Sequence, residues 1–457
     1  MNLLPLFLSV ALEAASSAPK LPVEQYQLDN GLTVLLSEDH ALPVVSVEVL
    51  YMVGSGHERQ GRTGFAHLFE HLMFQGSEHF DHDYFKPYEP IGGQVNGTTS
   101  RDRTNFYQVV PSNFIKTPLW MESDRMHHLL PALTQEKLDN QRDVVKNERR
   151  QRYENAPYGM ASWYLGEALY PPGHPYRHSP IGSHEDLSAA TLEDVQGFFK
   201  QYYVPANAAI AIVGDFESGE AKQLVSHYFG AIPGGQRAPS PKAEVPAAEA
   251  VHWQKTDDVP LPRIHLAWHT PALFAPGDAE LDLMASVLSS GKSSRLYYPL
   301  VYDKKIAKDV EAYQVSQGIS SYFVVEATAA PGKTVETLYT ELMGALTRAL
   351  EAPPTAAELS RAVSAYKKGF YSRIEAVQSR ASTLATYYLH TGRTDYLEQD
   401  LNRYVDASAE SVHQAAKRYL NLEKFVRIDI IPGAKEVSGA PPVATENKAS
   451  PRAEGNK

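Results

Sequence analysis

Cysteine is absent from all 457 residues. Disulfides and thiolate chemistry are thereby excluded, and any bound metal must be held by His, Asp or Glu. Positive charge is in short supply: 43 Lys and Arg face 54 Asp and Glu, a formal net charge of −11. That balance argues against a nucleic-acid partner, which needs a basic face. Long apolar runs are missing too. No segment beyond the start approaches the ~18–20 apolar residues of a membrane helix, so no membrane span is expected. What remains is an ordinary globular composition, 43 % hydrophobic and 21 % charged, in a chain long enough for two domains with cores.

The opening stretch MNLLPLFLSVALEAASSAPK contains a short apolar run from Leu3 to Leu12 and small residues from Ala15 to Ala18. A secretory signal over residues 1–20 is expected from that layout, and with it a periplasmic or secreted location. No Lys or Arg precedes the run, which departs from the usual pattern. A frayed N-terminal helix on a cytoplasmic protein is the alternative.

Beyond it, YQLDNGLTVLLSED reads as a hairpin around an Asp-Asn-Gly turn, and PVVSVEVLYMV and RTNFYQVV as strands. From Thr117 to about Tyr153 the pattern is helical with a break near Pro131. TLEDVQGFFKQYY is a helix, AAIAIVGDF a buried strand and SGEAKQLVSHYFGAI a helix. Residues 233–250 are rich in Pro, Ala and Gly without period, the composition of a linker. After them the order restarts. RIHLAWHT repeats the role of VVSVEVLYMV, and DAELDLMASVLSS that of GFAHLFEHLMF. Late in each half a helix leads into a buried strand. An α+β fold of two homologous domains follows, residues 21–232 and 251–434, related by duplication. The tail, 435–457, has the composition of disorder.

The stretch TGFAHLFEHLMFQGS sets His67, Glu70 and His71 in an apolar run, with Thr63 as a candidate helix cap. Four residues apart on a helix, the two histidines share a face and can converge on one ion. Glu70 flanks that face without being a ligand. A carboxylate there can take a proton from a water polarised by the ion and pass it on, which is what peptide hydrolysis at neutral pH needs. The competing reading is a pair of hydrogen-bonded core histidines. A catalytic zinc also requires a third protein ligand.

The H-x-x-E-H order resembles the inverzincins, the pitrilysin/insulinase-type zinc metallopeptidases. That resemblance implies a third ligand about 77 residues past the second histidine, where Glu148 stands in QRDVVKNERRQRYENAPYG. GGQVNGTTSRDRTNFY is similar to the family's substrate-binding edge strand, YPPGHPYRHSPIGSHEDL and YYVPANAAIAIVGDF to its later first-domain segments, and SSRLYYPL and TAAELSRAVSAYKKGFY to its second domain. The likeness covers about residues 22–434. It implies that His67, His71 and Glu148 bind one zinc ion per chain and that Glu70 is the general base. It implies further that Asn96 and Gly97 hold substrate backbone by β-augmentation, although GGQVNG also reads as a plain turn before a strand. The fold it implies has a mostly antiparallel sheet with packed helices in each domain, arranged as a clam-shell half around a peptide or unfolded-protein substrate. Mn or Co suits the same ligand types.

Two positions depart from the family. A supporting glutamate seven residues before the third ligand is replaced by Gln141, which hydrogen-bonds but brings no charge. The family also completes its site with an Arg and a Tyr seven residues apart. The matching segment LVYDKKIAK has Val301 and Lys308 there; Arg295 belongs to the preceding SSRL, and Tyr302 is out of register. A sister subunit supplying the Arg/Tyr pair is therefore expected, as in mitochondrial processing peptidase. The alternatives are local substitution by Lys308 or Tyr302, a pair that is dispensable, and a non-catalytic structural or peptide-binding subunit, which would need neither the full ligand set nor Glu70. Among the other histidines, His127 and His128 are adjacent, so a regular helix would point them to different faces. His174, His178 and His184 fall in a Pro/Gly-rich loop without a carboxylate pattern for metal.

Overall fold

The computed structural model describes residues 21–434, so the expected signal at 1–20 and disordered tail at 435–457 lie outside it. Two mixed sheets packed with helices form the scaffold. Strands β1 (Glu24–Gln27), β2 (Thr33–Glu38), β3 (Val44–Tyr51), β4 (Gln94–Thr99), β5 (Thr104–Pro111) and β6 (Ala208–Gly214) form the first, in the order β1-β2-β6-β3-β5-β4. Strands β7 (Val251–Asp257), β8 (Arg263–Thr270), β9 (Ala307–Val315), β10 (Ser321–Ala329) and β11 (Val426–Pro432) form the second, in the order β7-β11-β8-β10-β9. With β1 set aside, the two orders coincide strand for strand. The pairs β2/β6 and β7/β11 are parallel and the rest antiparallel. The helix after β3, Phe65–Leu72, corresponds to Asp278–Ser289 after β8, and each starts at a left-handed glycine, Gly64 or Gly277. Residues 233–250 form neither helix nor strand.

Period-two alternation explains how both faces of the first sheet are buried. On β3, Val45, Val47 and Val49 enter the main core of the first half with Leu68, Phe69 and Leu72. Leu50 faces the other way, where Ala385 of the helix Val377–Thr391 covers it. Leu35, Ala211 and Val213 meet Ala381 and Leu384 of that same helix. The covering helix belongs to the second half of the chain. The exchange is reciprocal. Leu165 and Leu169, from the first half's helix Ala161–Leu169, pack with Ala267, Val324, Ile428 and Ile430 of the second sheet. Each buried Leu or Val contributes roughly 1.5–3 kcal/mol, so each half's sheet depends on the other's helix. Among the described residues no helix is long and apolar enough to cross a membrane.

Candidate metal centre

Helix Phe65–Leu72 is anchored by Phe65, Leu68, Phe69 and Leu72, all buried. Thr63 does not cap it: its hydroxyl donates to Asp186 and accepts from the Ser183 amide. The cap is Glu58, a carboxylate without exposed side-chain surface. Its two oxygens accept from the amides of Gly64 and Ala66, each at 2.8 Å, and His178 Nε2 lies 2.9 Å away. A buried carboxylate thus sits at the positive end of the helix dipole; burial pushes its pKa up, against the His178 contact and the two amides. Gly64 has φ +90°, and a Cβ there would lie 2.9 Å from both Gly182 Cα and Ile181 O, so only glycine fits.

The anchored helix turns His67 and His71 to a half-buried face, their ring centroids 4.7 Å apart. The helix Gln135–Arg149, capped by Thr134, buries Leu138, Gln141, Val145 and Arg149 and brings Glu148 across. Glu148 Oε2 lies 3.6 Å from His67 Nε2 and 3.2 Å from His71 Nε2. Donor atoms of all three lie within 4.8 Å of one another. A tetrahedral ion ~2.0–2.1 Å from each donor sets its donors roughly 3.3 Å apart, close to the two distances from Glu148, and the donor set of two imidazoles and a carboxylate suits zinc. Burial, with His71 adding to it, pushes His67 down to about 4. The ring is therefore neutral at pH 7, the form that ligates. Its Nδ1 is buried with no hydrogen-bond partner. Burial works to raise Glu148, but the His71 hydrogen bond and the nearby His67, His71 and Arg152 prevail and hold it below the ordinary carboxylate range.

Glu70 points beside the trio. Burial raises its pKa, against a 2.6 Å hydrogen bond that Thr99 Oγ1 donates to its Oε2. Strand β4 runs along the free edge of the first sheet with only β5 as neighbour. A Cβ on Gly97 of β4 would sit 3.0 Å from Phe106 Cδ1 and 3.2 Å from Glu70 Cγ. Glycine there lets the edge strand close on the carboxylate. Asn96 Oδ1 accepts from the Gly97 amide at 2.8 Å.

The remaining positions fall elsewhere. Gln141 is buried and donates to Asn140 Oδ1 at 2.9 Å. Val301 packs against the core of the second half, Lys308 is exposed on the edge strand β9, and Tyr302 is 66 % exposed. Arg295 clamps Glu358 and the carbonyls of Ala349, Ala352 and Pro353. His174 stacks on Tyr170, and His178 and His184 pair separately with Glu58 and Glu154, so these three do not form a cluster. At His127 and His128 the helix is not regular. Backbone angles leave the helix at His128 (φ −116°, ψ 20°), and the two ring centroids are 4.3 Å apart. Sequence reasoning missed Glu58, Thr99 and Arg152, whose Nη1 reaches Glu148 Oε1 at 2.9 Å. Only Arg152 carried a local signal, its spacing of four from Glu148 across the end of that helix.

Paired, similarly ordered sheets that present two imidazoles and a distant carboxylate from neighbouring helices define a class of metallopeptidase scaffold. The chain belongs to the M16 peptidase family, the insulinase/pitrilysin group: residues 33–170 match the family described as insulinase (peptidase family M16), and residues 189–366 match the peptidase M16 inactive domain. Among its relatives, the zinc protease PqqE of Helicobacter pylori is 29 % identical over 421 residues, 90 % of this chain and 93 % of that protein. The crystal structure of a protease from Helicobacter pylori superposes with a TM-score of 0.83 at 28 % identity, covering 90 % of this chain and all of that one (100 %). The peptidase M16 inactive domain from Pseudomonas fluorescens superposes with a TM-score of 0.80 at 20 % identity over 92 % of this chain and 100 % of its own, a likeness of fold alone.

Proposed function

We propose that this chain is a zinc-dependent endopeptidase that hydrolyses peptides or unfolded polypeptides, as the catalytic subunit of a heterodimer in the periplasm or outside the cell. The supporting observation is the convergence of His67, His71 and Glu148 with Glu70 beside them. In this reading residues 21–232 form the metallopeptidase domain, 233–250 the linker and 251–434 the pseudo-repeat. The relative named zinc protease PqqE supports the assignment of metal and reaction.

His67, His71 and Glu148 would hold one zinc ion at this centre. Zinc, when bound, supplies Lewis acidity that favours ionisation of water near neutral pH and polarises a carbonyl. Glu70 takes the proton of the attacking water on the oxygen that Thr99 does not engage, and delivers it to the leaving amine. Arg152 neutralises Glu148 from the side away from the histidines. The substrate chain lies along the open edge of β4 at Asn96 and Gly97, adding a strand whose backbone hydrogen bonds are indifferent to sequence.

The second half offers no guanidinium at Val301 and no phenol at Lys308 to stabilise the developing oxyanion. A sister chain supplies both. One experiment addresses both statements: zinc content and peptide turnover of the wild-type chain and of Glu70→Gln, each alone and with the sister chain. The substitution is expected to leave zinc at the centre and lower turnover by ~10²–10⁴-fold. Unchanged turnover with zinc bound removes Glu70 from the chemistry, and full activity from the lone wild-type chain removes the partner.

A further inference from the structure

A second cluster of metal-ligating side chains lies where the chain leaves the catalytic helix. Donor atoms of Glu78, His79 and His128 all lie within 4.8 Å of one another, and His127 and His227 line the same surface cleft. The rings of His79 and His128 are 4.5 Å apart.

Local chemistry builds this cluster. Pro131 has no amide proton, and its ring crowds the carbonyl four residues back, at His127. The helix Lys116–Ala132 accordingly loses its regular backbone at His128, and the His128 carbonyl accepts from the Glu78 amide at 2.9 Å. That bond fastens the segment after Gly76 to the kink. Asp124, 5 % exposed, fastens it again: one oxygen takes the Ser77 hydroxyl and the other lies 2.6 Å from His79 Nδ1. An ionised carboxylate only accepts, so Nδ1 of His79 carries the proton, and in the neutral ring Nε2 is the nitrogen left to ligate. A buried carboxylate that fixes the tautomer and orientation of an imidazole is the outer-shell arrangement of metal-binding histidines. Glu78 Oε2 is meanwhile 2.9 Å from His128 Nδ1.

We propose that Glu78, His79 and His128 form a second site for a divalent transition-metal ion of the zinc class, separate from the catalytic centre. Two imidazoles and a carboxylate suit Zn²⁺, with Cu²⁺ and Ni²⁺ as competitors by ligand type; His127, His227 or solvent completes the shell. The ion would clamp the segment leaving the catalytic helix to the helix Lys116–Ala132, stabilising the first half independently of turnover.

The test is zinc stoichiometry after equilibrium dialysis of the full chain, with thermal melting as a second readout. Two ions per wild-type chain are expected, one after H67A/H71A, one after H79A/H128A and none with all four changes. Zinc should still raise the melting temperature of H67A/H71A, and H79Q added to that variant should abolish the rise. The site is excluded if folded H67A/H71A, checked by circular dichroism, retains no zinc. It is equally excluded if the wild-type chain holds one ion and H79A/H128A still holds one. The wild-type and H79A/H128A measurements together decide the matter even if H67A/H71A fails to fold.

Discussion

Gly97 of the edge strand lies against Glu70, the proposed base. Its missing Cβ leaves a space bounded by Phe106 Cδ1 at 3.0 Å and by the Asn105 carbonyl oxygen and Glu70 Cγ, each at 3.2 Å. Gly97→Ala forces one of them to move. Glu70 is the softer neighbour, because Phe106 is fully buried in the core. A small displacement of a reacting group is enough to lower catalysis by about 10–100-fold, while overpacking costs about 1–3 kcal/mol of stability. Peptide turnover of G97A is therefore expected to fall within that range with zinc content unchanged, and unaltered turnover would show that the contact does not position the base. The His67, Glu70 and His71 face was legible at this scale because helical spacing is local. Thr99 was not: it reaches Glu70 from a strand 29 residues away, and no pattern within either segment announces the meeting.

The helix Phe65–Leu72 is eight residues long, too short to be stable by itself in water. Four buried apolar side chains hold its underside and Glu58 holds its N-terminus. Glu58→Ala would leave the amides of Gly64 and Ala66 unpaired, at about 1–3 kcal/mol for each donor left buried without a partner. Urea unfolding should show that loss. Zinc affinity at His67 and His71 should weaken with it, because the cap sets the start of the helix. An unchanged unfolding midpoint would mean that water replaces the carboxylate. The element itself was readable from its apolar period. Its cap was misread as Thr63, because a side chain next to a helix start resembles a cap whether or not it bonds the helix, and the actual acceptor arrives from an earlier loop. The kink at His128 has the same origin: Pro131 announces a disturbance, but that the His128 carbonyl takes the Glu78 amide is settled by the packing of residues 76–80.

Across the whole molecule, the two halves exchange helices. Leu384 belongs to the second half and is fully buried against Leu35, Ala211 and Val213 of the first sheet. Arg380 adds an ion pair to Asp39 at 2.7 Å, and Ser382 donates to the buried Glu48. Leu384→Ala should cost about 2–5 kcal/mol, as deletion of a fully buried leucine does. Calorimetry should show one unfolding transition moving to lower temperature in this variant. Two separated transitions would mean that the halves unfold independently. The restart of the pattern after residue 250 made the repeat legible, since strand and helix periods recur in the same order. Which helix covers which sheet was not, because an amphipathic helix carries no label for its partner.

Sequence alone determined what depends on near neighbours: the elements, their repeated order, the shared face of His67 and His71, and the absence of thiol ligands. The tertiary structure decided what depends on chain segments far apart. It brought Glu148 to within 3.6 Å of both histidines, set Glu58 under the helix, closed β4 on Glu70 and gathered Glu78, His79 and His128 around a kink. The division is physical. Helix and strand periods arise from backbone geometry over a few residues, whereas a site of convergent polar groups exists only once the apolar faces have chosen which surfaces to bury.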